Sequence, residues 1–319
     1  MEEPNVLLRW AMYHFAGGDS YLFGLLAIAV CQLALIIVRA RRGRRWLTIG
    51  SALAFVWAAV APPPVAIWVV AAFLALQAAR IVCWWRNRQP AEIAEKPVSR
   101  RESLFRIALA SLAVIGILCE LPYRWFRAPD ALVTSLCVVG DSITAGLNDG
   151  EDTWPRRLSR QVSTQIQDAS QPGATLKSAH RQVQLLEPHS NDYLLLEIGG
   201  NDLLEGLPLN QFEIDMDQLL SECRSTGATV VMFELPLPPL SMRYGAMQRR
   251  LANRYHVHLI PRRHLMSVLT TPGSTVDGIH LSAAGQEHLM RLLWNLLNFP
   301  EGSSPHGEYR HLDPPRTNG

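Results

Sequence analysis

The sequence predicts an α/β fold: a three-layer α/β/α domain built on a five-stranded parallel sheet, preceded by an α-helical transmembrane region. Three observations carry this. From residue 131 onward, apolar runs alternate with amphipathic stretches, the pattern of strands connected by helices. Before that point, long uncharged stretches are separated by arginine-rich joints. Finally, a mean hydropathy of +0.06 with 18% charged residues is high for one soluble domain, and the apolar excess is concentrated in the first part of the chain.

The 319 residues suffice for a soluble domain and a membrane region. A formal net charge of +2 gives no general argument for nucleic acid as a partner. The five cysteines, Cys31, Cys83, Cys119, Cys137 and Cys223, form no CxxC pair, so neither a disulfide framework nor a zinc site is read from them.

Residues 1–130 read as a membrane region with about four spans, at 20–38, 46–61, 65–85 and 104–121. The first is followed by Arg39-Ala40-Arg41-Arg42-Gly43-Arg44-Arg45. A cleaved signal peptide carries its charge before the apolar core, so an anchor with a cytoplasmic basic joint fits better. The second stretch is too long for one span, and Pro62-Pro63-Pro64 near its middle cannot continue a helix, which reads as a hairpin turn. A hairpin returns the chain to its starting side, so the second basic segment, Arg86 to Arg106, falls on the same face as the first. In the fourth span Arg106 is expected to snorkel, with Tyr123 and Trp125 as interfacial anchors. Four spans place residues 131–299 outside the cytoplasm, in a multi-pass protein of the cytoplasmic membrane; were 104–121 to lie in the interface instead, that half would be cytoplasmic.

In the second half, strands are predicted at 134–139, 164–169, 193–198, 229–235 and 257–260. Helices are predicted at 153–162, 176–186, 211–225, 244–255 and 283–297. Parallel strands put functional loops at their carboxyl ends. Residues 300–319, rich in Pro, Gly and Ser, read as a disordered tail.

Four short segments sit where such loops belong. Gly140-Asp141-Ser142-Ile143-Thr144 follows the first strand, Gln171-Pro172-Gly173-Ala174-Thr175 the second, and Gly199-Gly200-Asn201-Asp202 the third. Asp277-Gly278-Ile279-His280-Leu281 precedes the last helix. Individually each has a bland reading. Ser142 could cap a helix, Gly173 could be a turn glycine, Asn201 a turn former, and Asp277 a cap for the helix entered through Ser282. Asp141 reads as a brace for its turn through local side-chain-to-backbone bonds. Together the segments supply a hydroxyl nucleophile, an amide donor and an imidazole with a carboxylate three residues away, the parts needed for acyl transfer to water. His256 and His258 lack a third ligand at metal-site spacing, and no phosphate-binding or dinucleotide fingerprint occurs.

In this order the four segments resemble the defining blocks of the SGNH (GDSL) hydrolases, from about Val133 to Leu297. Glu234-Leu235-Pro236-Leu237-Pro238-Pro239 is more loosely similar to the lysophospholipase L1/arylesterase/acyl-thioesterase branch. The resemblance implies a Ser142-His280-Asp277 triad. It also implies an oxyanion hole from the Ser142 and Gly173 backbone N–H groups and the Asn201 side chain, with no metal or organic cofactor. The expected substrate is an acyl ester, lipid-like or, alternatively, an O-acetyl group on an envelope glycan, where a transferase would use the same acyl-enzyme. Membrane lipid is the other expected partner. A reading of a different class is a membrane scaffold with a retired hydrolase domain, but no block is lost.

Overall fold

The computed structural model describes residues 6–38, 40–61, 67–86, 99–148, 150–239, 241–300 and 308–312. The chain divides into two compact units. One comprises residues 18–122 and 238–242; the other comprises residues 1–17, 123–237 and 243–319.

Helix α1 (Val6–Ala16) belongs to the second unit. The first contains α2 (Asp19–Ile37), α3 (Arg41–Val60), α4 (Ile67–Arg86) and α5 (Arg100–Glu120). Helix α2 packs on both α3 and α5. Gly24 permits the close approach to α3: a Cβ there would stand 2.7 Å from the Ala58 Cβ. A polar link crosses the same bundle. Gln32 donates from Nε2 to Ser51 Oγ at 2.8 Å, and Arg106 Nη1 donates to Gln32 Oε1 at 3.5 Å. Arg106 does not reach outward as expected. It is buried and paired with Glu102 at 2.5 Å, a carboxylate one helical turn away that offsets the cost of holding the charge inside the bundle. The arginines of the first basic joint also differ from expectation, since Arg41, Arg42, Arg44 and Arg45 open α3 itself. Among the described residues, α2 and the segment Arg100–Tyr123 are long and apolar enough to cross a membrane. The Pro62–Pro64 turn lies outside the described residues.

The second unit continues with β1 (Ser135–Gly140), α6 (Ser142–Ala145), α7 (Trp154–Ser159), β2 (Gln165–Asp168), α8 (Leu176–Leu186) and β3 (Tyr193–Glu197). Next come α9 (Gly200–Leu204), α10 (Leu209–Ser225), β4 (Thr229–Phe233), α11 (Met242–Arg254) and β5 (His258–Ile260). It closes with α12 (Arg262–Thr270), α13 (Ala283–Leu296) and β6 (Tyr309–His311). All strands pair in parallel in the order β5-β4-β3-β1-β2-β6.

Alternation along the strands fills two cores. Cys137 and Val139 of β1 face a layer holding Val183, Phe212, Leu219 and Leu251 from α8, α10 and α11. Leu136 and Val138 face Trp154, Leu158, Leu265, Leu289 and Leu293 from α7, α12 and α13. This is the expected three-layer architecture. Trp154 is fully buried, and its removal would cost about 3–5 kcal/mol by cavity formation.

The sheet has six strands, one more than expected. The extra one, β6, lies in the segment read as a disordered tail. Composition hid it because three residues carry no apolar period. What holds it is pairing with β2, reinforced by Ile166 N–H to Glu308 O and Leu312 N–H to Asp168 O, each 2.8 Å. Helices α1 and α12, which pack on one another, were also not expected.

Candidate active site

After β1 the chain moves to β2 on one side, then returns to β3 on the other. That reversal leaves a crevice beyond the carboxyl ends of β1 and β3. Ser142 begins the helix after β1 and Asn201 lies in the helix after β3.

Asp141 caps α6: its Oδ1 accepts the Ile143 N–H at 2.9 Å, so the bracing role expected of it is present and Ser142 is not the cap. Ser142 is the first helical residue, and among the described residues its backbone N–H has no hydrogen-bond partner. Gly173 sits at φ 74°, a left-handed conformation that a glycine adopts without strain, and a Cβ there would meet nothing within 4 Å. Its N–H is likewise without a partner among the described residues.

The Asn201 amide reaches across the crevice. Nδ2 donates to Ala174 O at 2.8 Å and to Asp141 Oδ2 at 3.5 Å, tying the third segment to the first two. The longer contact is at the outer limit of a hydrogen bond, so one amide hydrogen is firmly held and the other weakly engaged. Asp202 adds a second tie by accepting the Leu176 N–H at 3.0 Å.

The fourth segment is organised around its own carboxylate. Asp277 Oδ1 accepts the N–H groups of Ile279 (3.0 Å) and His280 (2.8 Å), and Oδ2 lies 2.6 Å from His280 Nδ1. The bond to the His280 ring, then that to its backbone, lowers the Asp277 pKa to about 2. The helix-cap alternative for Asp277 is excluded, because Ser282 caps α13 by accepting the Gly285 N–H. Burial raises the Asp141 pKa, opposed by its bonds to Ile143 N–H and Glu197 and, least, by the charge of nearby His280. Among the described residues no hydrogen bond joins the Ser142 hydroxyl to the His280 ring.

Sequence reasoning missed the layer beneath. Glu197, the last residue of β3, is buried and hydrogen-bonded to Asp141 and to the Thr144 hydroxyl, which donates to its Oε2 at 3.1 Å. Burial first, then the Asp141 charge, push the Glu197 pKa well above the carboxylate range. Burial raises the Asp141 pKa as well, against the Ile143 N–H that it accepts, so the two carboxyls share a site in which a proton is retained more readily than in water. Thr144 Oγ1 in turn accepts Trp154 Nε1–H at 3.3 Å. Gln182 holds Gly140 through both backbone groups (2.9 and 3.1 Å), and Gln286 binds Trp154 N–H and Ile143 O. The signal for Glu197 was available: an ionisable residue closes an otherwise apolar strand. No cluster of metal-ligating side chains occurs among the described residues.

A serine on a tight turn at a sheet switch point, faced by an amide and accompanied by a carboxylate-held imidazole, defines a class: the serine hydrolases that act on ester bonds. Comparison with known proteins agrees. The model of the GDSL-like Lipase/Acylhydrolase family matches residues 138–288. An arylesterase of Vibrio mimicus is 32% identical over 180 residues, covering 52% of this chain and 90% of that protein. Thioesterase 1/protease 1/lysophospholipase L1 of Escherichia coli K12 is 30% identical over 164 residues, with 49% and 78% covered. Esterase TesA of Pseudomonas aeruginosa is 29% identical over 184 residues, with 52% and 89% covered. The chain belongs to the GDSL-like lipase/acylhydrolase family.

Proposed function

We propose that the protein is a membrane-anchored serine esterase that cleaves acyl esters through an acyl-enzyme on Ser142. His280 takes the Ser142 proton as the hydroxyl attacks the acyl carbonyl, while Asp277 fixes the ring tautomer and stabilises the imidazolium. The Ser142 and Gly173 N–H groups and the Asn201 amide receive the oxyanion. His280 then protonates the leaving alcohol, and water repeats the sequence to release the acid.

The observation that carries this reading is the 2.6 Å Asp277–His280 bond, in a loop close enough for His280 to influence the Asp141 carboxylate beside Ser142. In this reading, closing of the Ser142–His280 hydrogen bond accompanies substrate binding, since catalytic hydrogen bonds often tighten only in the complex.

Anchoring rests on α2 and the Arg100–Tyr123 segment, with the hairpin of α3 and α4 completing four spans and leaving the catalytic half extracytoplasmic. A catalytic domain held beside a bilayer has lipid-like acyl esters at high local concentration, which makes them the favoured substrates. The decisive test is covalent labelling by a fluorophosphonate. Wild-type protein labels and Ser142→Ala does not; equal labelling of both would refute the assignment. A membrane-impermeant probe on intact cells should label the wild type, and labelling only after lysis would put the site in the cytoplasm.

A further inference from the structure

The catalytic unit holds a second feature that the proposed chemistry does not use. A cavity of about 290 Å³ opens between Ala145–Gly146, at the end of the helix that Ser142 begins, and Gln171–Pro172, which adjoin Gly173. Both walls are tied to the nucleophile turn: Gly146 N–H donates to Ser142 O at 3.0 Å, and Gln171 N–H to Gly140 O at 3.1 Å. The floor comes from the end of β2 and from β6, which lies outside the family match.

The lining is polar and of mixed sign. Asp168 is buried; its Oδ1 accepts the Ser170 N–H at 2.9 Å and its Oδ2 the Tyr309 hydroxyl at 3.0 Å. His311 Nδ1 stands 3.7 Å from the same carboxylate. The Arg156 guanidinium lies 5.3 Å from the centre of the Tyr309 ring. Ser170 is 1% exposed and, among the described residues, its hydroxyl has no hydrogen-bond partner. A buried hydroxyl left unsatisfied costs free energy unless something completes it, and this one borders a cavity large enough for several water-sized groups.

We propose that this cavity binds the neutral, polyhydroxylated alcohol portion of the ester substrate, a glyceryl or a single glycosyl group. The inference rests on the esterase reading above and names the alcohol it prefers. Hydroxyls both donate and accept, which suits a wall offering a guanidinium, a carboxylate, a hydroxyl and the Gln171 amide together. The carboxylates of Asp168 and Glu151 in the same lining disfavour a phosphate dianion, and the polar walls disfavour a fatty chain. Tyr309 and His311 make the specificity a property of this chain's own carboxyl-terminal strand.

The test compares three acetates on the full-length protein: glyceryl monoacetate, 6-O-acetylglucose and ethyl acetate. The readout is the ratio of kcat/KM for each polyol ester to that for ethyl acetate. Wild type should prefer at least one polyol ester by about tenfold or more, and whichever is preferred identifies the source as glyceryl or glycosyl. Ser170→Ala and Arg156→Met should each lower that ratio by about three- to tenfold, the loss of one hydrogen bond. A melting curve for each variant confirms folding. A wild-type ratio near one, or a ratio unmoved in both folded variants, overturns the proposal. A glycerol-phosphate acetate preferred over glyceryl monoacetate also overturns it. If none of the three acetates is turned over, the esterase reading itself fails and this inference falls with it.

Discussion

The Asp277 carboxylate grips His280 twice, at the ring Nδ1 (2.6 Å) and at the backbone N–H (2.8 Å). The double hold fixes both the position of the residue and the rotation of its ring. It directs the other ring nitrogen away from the carboxylate, as a base acting on Ser142 requires.

Asp277→Asn should lower kcat by about 10³- to 10⁴-fold, because an amide supports the wrong tautomer. The pH dependence has a defined sign. The folded-state pKa of Asp277 is depressed to about 2 from an ordinary value of 3.8. Its bond to His280 is therefore fully present above 3.8 and is lost only as pH falls through about 2. Steady-state rates of the variant check the expected loss: a kcat within tenfold of wild type would contradict the assignment.

Asn201→Ala should reduce kcat by about 100- to 1000-fold with little change in KM, the mark of a donor that acts on developing charge. Loss confined to KM would assign Asn201 to substrate binding instead. Initial rates over a range of ester concentrations separate the two.

Glu197 should respond to shape more than to charge. Glu197→Gln keeps an N–H donor toward Asp141 and an oxygen for Thr144, so activity should remain within about tenfold of wild type. Glu197→Ala strands both partners in a buried site and should cost about 1–3 kcal/mol for each group left unsatisfied. Urea titration of the two variants distinguishes these outcomes.

Glu234 sits under the opposite constraint. It is 1% exposed, accepts Arg249 Nε–H at 2.5 Å and the Arg262 N–H at 3.3 Å. Burial would raise its pKa, but the charges of Arg249 and Arg262 outweigh that and lower it. A depressed carboxyl stabilises the fold above its ordinary range, and that contribution disappears as pH falls through the folded value. Glu234→Gln should cost about 3–5 kcal/mol at neutral pH by leaving buried cations uncompensated. Its stability relative to wild type should recover as pH drops, which thermal melts at several pH values would reveal.

The sequence and structure diverge in instructive places. Strands β1 to β4 and helices α8, α10 and α13 stand within a few residues of their expected bounds, because apolar runs and amphipathic periods report burial directly. The segments around Ser142, Gly173, Asn201 and Asp277 were legible because their residue types are unusual together. Glu197, Gln182 and Gln286 were not read, since a buried polar residue declares its partner only in three dimensions. Strand β6 was invisible for the same reason: Tyr309 and His311 find their hydrogen bonds on β2, more than a hundred residues earlier. The arginines of α3 read as a loop because charge was weighed before helix propensity, although arginine is a good helix former.

Strand β6 has one more effect. Without it, β2 would be the last strand of the sheet, and its outward row of amide and carbonyl groups would offer a template for pairing with another molecule. A truncation ending at Pro300 should keep the Asp277–His280 loop and α13 yet expose that row. The shortened protein should therefore self-associate in a concentration-dependent way under conditions where the intact protein does not, the result expected if β6 guards the edge of β2 against aggregation.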